Sequence, residues 1–294
     1  MTAPKIGFIG FGEVGYTFSR AMNQAGAEVT VYDVLLDGAN RADDIRERIT
    51  ETGSKVGTLE EVVKNNDYIL STVITQAAKN VAQTVSPMLK SGQIYVDLNS
   101  TCPSVKVAIG RIIAATGADF VEGAILGAVG ATGAETRIFT AGEKRQEIAE
   151  LFNRMGMNVQ PYCRQIGKAS TFKMLRSIFS KGVEALLLEM LVAAKRADIE
   201  TDLWEDITKF MAAKPFDKIG DNWMRSHAVA HERRYYEMLQ VVETMKELNV
   251  EPVMSERTAA YFKQSLDMGM SKSFPEKPES FHEVIKFIDE NLRQ

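Results

Sequence analysis

A chain of 294 residues, 45% hydrophobic and 25% charged, has the size and composition of a soluble globular protein with one large or two ordinary domains. Its formal net charge of −4, with no concentration of Lys and Arg, excludes a general nucleic-acid or membrane-surface binder. Two cysteines, Cys102 and Cys163, make neither a disulfide framework nor a metal spacing. No apolar run approaches a membrane span and Met-Thr-Ala-Pro-Lys-Ile carries no signal-peptide pattern, so a cytoplasmic enzyme is expected.

In chain order, Lys5–Ile9 reads as a buried strand, followed by Gly10-Phe11-Gly12-Glu13-Val14-Gly15, a helical pattern to about Gln24, and a second β-branched run, Glu28–Tyr32, ending at Asp33. Strand, glycines, helix, strand and terminal acid in register form the first β-α-β of a dinucleotide fold. Gly10 permits the tight turn, Gly12 lets the backbone approach a pyrophosphate, and Gly15 lets helix and strand pack closely. The helix amides, from Glu13 and Val14 onward, face the anion. Asp33 suits the ribose hydroxyls of NAD and repels the 2′-phosphate of NADP. The residues after it, Val34, Leu35 and Leu36, lead to no cation before Arg41, which favours NAD.

The alternation continues. Asp43–Glu51 and Thr58–Asn65 read as helices, Tyr68–Val73 as a strand, Gln76–Leu89 as a helix, Gln93–Asp97 as a strand and Pro103–Ala115 as a helix opened by its proline. Asp119–Glu122 and Arg137–Thr140 read as strands, and Glu143–Met155 as a helix before the run Asn158–Pro161. The expected architecture is α/β: a doubly wound, mostly parallel Rossmann-type domain over residues 1–165, then an all-α domain over residues 166–294. Ligands in such a sheet bind at the carboxyl ends of the strands. Those ends carry Thr72, Val73 and Ile74, then Asn99, Ser100 and Thr101, then a glycine-rich loop from Gly123 to Gly133.

The junction is a helix from Ile166 to about Ile199. Phe172, Leu175, Ile178, Phe179, Val183, Leu186 and Leu187 form an apolar stripe at helical spacing, while Lys173, Arg176, Ser177, Ser180, Lys181 and Glu184 share a polar one. Ser170 or Thr171 is placed to accept from backbone amides at its start. Beyond it, Asp202–Ala213, Trp223–Asn249, Pro252–Gly269 and Pro278–Leu292 read as helices punctuated by Pro215, Gly220, Asn249–Pro252 and the 272–278 loop. These helices carry more apolar stripe than one small domain buries, so a homodimer or higher homo-oligomer through them is expected.

These motifs resemble the β-hydroxyacid dehydrogenase family, which includes 6-phosphogluconate and 3-hydroxyisobutyrate dehydrogenases, over nearly the whole chain. Gly10–Gly15 is similar to its nucleotide loop. Asp97-Leu-Asn-Ser-Thr-Cys-Pro103 is similar to its Asp-x-Ser-Thr-x-x-Pro segment, stretched by one residue, and Phe120–Gly127 stands at its substrate loop. Gly167 and Lys173 share the spacing of its catalytic helix. The resemblance implies Lys173 as general acid/base and Ser100, Thr101 and Gly127 beside the substrate. Arg176 and Ser177 stand near Lys173 where the family carries an asparagine pair. Leu126 replaces the loop serine, and Tyr236-Glu237 stands where relatives have Lys-Asp. The expected activity is therefore an NAD(P)-dependent dehydrogenase or reductase, NAD favoured, acting on a small hydroxy-acid substrate. The alternatives are an imine reductase or sugar-acid oxidoisomerase on the same scaffold, or an inactive NAD-binding regulatory protein.

Partial burial of Lys173 beside cationic Arg176 and Lys181 would lower its pKa towards the range a general base needs. His227 and His231, four apart on a helix, could face one metal, but no third ligand lies near in sequence and no metal is expected. Arg233 and Arg234 either pair with Glu232 and Glu237 or bind an anion. Cys102 reads as a packed small residue.

Overall fold

The computed structural model describes residues 2–38 and 41–293. Eight strands form one sheet in the order β3-β2-β1-β4-β5-β6-β7-β8. They are β1 (Lys5–Ile9), β2 (Glu28–Tyr32), β3 (Lys55–Val56), β4 (Tyr68–Ser71), β5 (Ile94–Asp97), β6 (Asp119–Ile125), β7 (Arg137–Ala141) and β8 (Asn158–Cys163). The first six run parallel to one another, β7 runs antiparallel to β6, and β8 is parallel to β7. The connecting helices are α1 (Glu13–Gln24), α2 (Ala42–Glu51), α3 (Leu59–Lys64), α4 (Ala78–Val85), α5 (Pro103–Ala114), α6 (Val129–Thr132) and α7 (Arg145–Arg154). This is the doubly wound Rossmann-type arrangement expected, followed by helices only.

Period-two side chains explain why helices cover both faces. Phe8, Leu70, Val96 and Val121 enter one core with Phe18, Met22 and Phe152, while Ile9, Ile69, Tyr95 and Phe120 enter the other with Val62, Ile109 and Ile113. The order changes direction between β1 and β4, which opens a crevice at their carboxyl ends. Three details differ from expectation. β3 is too short to give a periodic signal and pairs only at Thr30–Lys55 and Val31–Val56. β6 runs on to Ile125 because its partner β7 satisfies its backbone as far as Ile138, so the glycine-rich loop shrinks to Leu126–Ala128 before α6. Val34–Asp37, after Asp33, forms a turn of 3₁₀ helix capped by the Asp33 carboxylate.

The chain divides into two compact units, Met1–Ile178 and Phe179–Gln294, and the division falls inside the long helix α8 (Lys168–Arg196). The second unit contains the rest of α8 with α9 (Glu200–Ala212), α10 (Phe216–Glu247), α11 (Val253–Asp267), α12 (Met270–Ser273) and α13 (Phe281–Leu292). α10 begins at Phe216, ahead of the expected Trp223. Pro215 stands at its N-cap, where a missing N–H costs nothing, and Gly220 is absorbed into the helix at about 1 kcal/mol. Glu189 accepts from the amides of Met254 and Ser255 and so caps α11 from α8. Among the described residues, no helix is long and apolar enough to cross a membrane.

Candidate active site

The glycine loop is built as its spacing requires. Gly10 sits at φ +95°, and a Cβ there would stand 2.6 Å from the carbonyl oxygen of Thr72. A Cβ on Gly15 would lie 2.5 Å from the carbonyl oxygen of Gly10, so α1 approaches β1 only because no side chain intervenes. A Cβ on Gly12 would meet nothing within 4 Å, which leaves bare backbone facing open space at the amide end of α1. That cradle fits a dinucleotide pyrophosphate. Asp33 ties the loop to β2: Oδ2 accepts from the Phe11 amide at 2.7 Å and Oδ1 from the Leu35 amide at 2.9 Å. A carboxylate has about four lone-pair positions, so it retains capacity for ribose hydroxyls. The Phe11 side chain is buried in the core against Tyr16, and only its backbone belongs to the loop.

A crevice of about 480 Å³ opens beside this loop, lined by Glu13, Val14, Thr72–Gln76, Leu98–Ser100, Ile125, Gly127–Val129 and Lys173. The strand-end residues Thr72, Val73, Ile74, Asn99 and Ser100 thus share one wall with Gly127 and Lys173. Lys173 Nζ donates to Ser100 Oγ, which sets the helix amine against the segment that follows β5. Thr75 Oγ1 holds that segment by donating to the Ser100 carbonyl at 3.1 Å. Asn99 Nδ2 donates to Ser71 Oγ at 2.9 Å while its buried Oδ1 has no hydrogen-bond partner among the described residues, leaving an acceptor for a bound group.

The remaining anticipated positions are less central. Arg176 donates to the Leu126 carbonyl at 3.3 Å, next to Gly127. Ser177 bonds back to the Lys173 carbonyl at 3.0 Å, an ordinary turn-to-turn contact within α8. Thr101 is buried and does not line the crevice. Cys102 is exposed rather than packed, because it stands at the N-cap of α5 outside both cores. Hydrogen bonding to the Ser104 hydroxyl, then to the Val105 amide, lowers its thiol pKa.

Residues 5–164, more than half of the chain, match the NAD-binding domain of 6-phosphogluconate dehydrogenase. The chain belongs to that family. Residues 194–265 match a domain of unknown function, DUF1932. Human mitochondrial 3-hydroxyisobutyrate dehydrogenase is 26% identical over 180 residues, covering 59% of this chain and 52% of that enzyme, so the match spans about half its length. A solved conserved protein described as structurally similar to 3-hydroxyacid dehydrogenases is 32% identical, covering 90% of this chain and 97% of its own, with a TM-score of 0.61. The imine reductase of Myxococcus stipitatus, solved with NADP+, shares the fold over 97% of this chain and 100% of its own, at a TM-score of 0.79 and 17% identity. The chain is thus a nicotinamide-dinucleotide-binding scaffold of the hydroxyacid dehydrogenase type.

Within this NAD-binding domain, two buried charges escaped the sequence reading. Glu122, fully buried on β6, accepts from the amides of Gly167 and Ser170 at 2.5 Å each and caps α8. Ser170 and Thr171, expected as caps, instead donate their hydroxyls to the Gly167 carbonyl, because Glu122 has already taken the amides. Lys106, 1% exposed, pairs with the buried Asp97 carboxylate at 3.1 Å and donates to the Asp97 carbonyl at 2.9 Å. Asp97 Oδ1 in turn accepts from the Asn99 amide at 2.9 Å, so the pair pins the start of the Ser100 segment. The signal was present: Lys106 lies on the same stripe as Ile109 and Ile113, and Glu122 interrupts an apolar strand.

Among the described residues no group of three or more His, Cys, Asp or Glu is placed to hold a metal. His227 Nε2 shares a hydrogen bond with Ser265 Oγ at 2.9 Å, and His231 contacts the His227 carbonyl at 3.1 Å and Ser271 Oγ at 3.3 Å, so both rings serve helix packing in the second unit. Arg233 pairs with Glu237.

Proposed function

We propose that the protein is an NAD-preferring oxidoreductase that transfers hydride between the cofactor and the carbinol carbon of a small hydroxy acid, with Lys173 as general acid/base. The observation carrying this reading is the Lys173 amine hydrogen-bonded to Ser100 in a crevice that begins at the glycine loop. An amine held there by a hydroxyl can exchange that partner for a substrate hydroxyl. In this reading, Gly10, Gly12 and Gly15 with the amides of Glu13 and Val14 hold the pyrophosphate, and Phe11 contributes backbone only. Asp33 holds the adenosine ribose and disfavours a 2′-phosphate. Thr72, Val73, Ile74 and Asn99 line the nicotinamide half.

The nicotinamide, when bound, supplies the hydride acceptor. Lys173 takes the hydroxyl proton of the substrate as its carbon is oxidised, and returns it in the reverse direction. Ser100 orients the amine, and the buried Thr101 holds the turn before Cys102, its amide donating to the Asn99 carbonyl at 3.0 Å. The Arg176 guanidinium, beside Gly127, complements a substrate carboxylate, and Ser177 completes that face of α8. The Lys173 side of α8 works with the nucleotide-binding domain, and its exposed apolar side, with the helices beyond, serves self-association.

Lys173→Ala is expected to abolish turnover in a screen of hydroxy acids and cyclic imines while NADH still binds. Near wild-type turnover would remove Lys173 from its role, and preferred reduction of imines would replace the substrate class.

A further inference from the structure

The second unit contains a cleft of about 490 Å³, within the usual range of small-molecule sites, between α10, α11 and α13. Its apolar wall is formed by Trp223 and Met224, by Tyr261 and Phe262, and by Val284, Ile285 and Ile288. Trp223, His227 and Arg234 lie four and seven residues apart on α10 and so share one face of the helix. Arg234 and His227 contribute the ionisable groups of the lining other than the Tyr261 phenol.

These two groups make the site electrically one-sided. No carboxylate among the described residues lies within 4.0 Å of Arg234, whereas the adjacent Arg233 is paired with Glu237. The Arg234 guanidinium is held from within its own helix by Ser226 Oγ at 2.7 Å and the Trp223 carbonyl at 3.5 Å, which leaves most of its five N–H donors uncommitted. His227 is buried and hydrogen-bonded to Ser265. Burial, then His231, then Arg234 lower its pKa to about 4, so it adds no second positive charge at neutral pH. A single cation in an aromatic and aliphatic cleft calls for a single anion on an apolar body.

We propose that the helical unit binds a small aromatic or branched apolar monocarboxylate in this cleft, its carboxylate on Arg234 and its body against Trp223, Tyr261 and Ile288. Trp223 and Tyr261 are partly exposed, so the cleft is open to entry from solvent. A dicarboxylate would leave one charge uncompensated, and an amine would place a second cation beside Arg234. This site is made wholly of second-unit residues and does not depend on the reaction proposed above.

The chain contains two tryptophans, so Trp204→Phe leaves Trp223 as the sole reporter in the full-length protein. Titration with phenylacetate is expected to give a saturable change in Trp223 fluorescence. Arg234→Gln should weaken binding by about tenfold or more, the worth of one charge-assisted hydrogen bond, and phenylacetamide should bind wild type about as weakly. Ile288→Phe, which fills the cleft without touching the cation and adds no tryptophan, should remove the signal. Helical circular dichroism and a thermal unfolding midpoint equal to wild type show that each variant is folded. Equal binding of phenylacetate to wild type and Arg234→Gln, equal binding of acid and amide, or no saturable change would overturn the proposal. So would Trp223 emission that depends only on protein concentration, which would assign the cleft to a second copy of the chain.

Discussion

The carboxylate of Glu122 accepts the backbone N–H of Ser170 at 2.5 Å, joining the middle of β6 to the first turn of α8. A buried carboxylate is costly unless its oxygens are hydrogen-bonded, and here the helix amides supply that compensation. Lys173 lies three residues further along α8, so the same contact sets where its amine reaches the segment after β5.

Replacing Glu122 by Gln keeps the size but turns one end of that contact into a donor facing donors. Glu122→Gln is expected to lose about 2 kcal/mol of stability. A positioning role predicts that kcat falls as well, with NADH affinity unchanged. Thermal unfolding and steady-state kinetics check both, and a variant equal to wild type in melting temperature and kcat would show that α8 is positioned by its other contacts.

The Asp97–Lys106 pair is buried at both ends, with side chains 0% and 1% exposed. Removing one partner leaves a charge without compensation, so Lys106→Met should cost about 3–5 kcal/mol. Asp97→Asn combined with Lys106→Met should recover part of that loss. Urea unfolding distinguishes these outcomes, and a single variant as stable as wild type would mean that water reaches the site.

His227, with its pKa lowered to about 4 by burial, by His231 and by Arg234, binds a proton more readily in the unfolded chain than in the folded one. Its contribution is complete above the ordinary histidine pKa near 6.5 and is lost as pH falls from there towards 4. Denaturation midpoints at pH 7 and pH 5 should therefore fall further for wild type than for His227→Gln. Equal slopes in the two proteins would show that the ring is not buried in its neutral form.

Along α8, Leu175, Ile178, Phe179 and Leu186 share one face and are 60%, 70%, 55% and 46% exposed. An apolar stripe of that extent on one chain fits self-association. Light scattering coupled to size exclusion is expected to give at least a dimer, and Ile178→Glu with Phe179→Glu should lower the order. A wild-type monomer at micromolar concentration would end this reading.

The glycine spacing of residues 10–15, the acid at Asp33 and the strand–helix alternation were legible in the sequence because each depends on local geometry. A backbone turn, a helix terminus or an alternating face is dictated within a few residues. The spacing of Lys173 from Gly167 was legible too, and the structure places that residue on the crevice wall, its role remaining the proposal made above. The capping of α8 was not, because the group that takes its amides comes from β6, far away in the chain, and the nearby Ser170 and Thr171 are equally suited to the task until Glu122 is in place. The partnership of Lys106 with Asp97 and the convergence of Trp223, Arg234, Tyr261 and Ile288 on one cleft are of the same kind. Sequence determined the elements and the loops that can carry a dinucleotide. Only tertiary structure decided which buried charges meet, since compensation of a charge depends on distances of a few ångströms between residues that sequence leaves far apart.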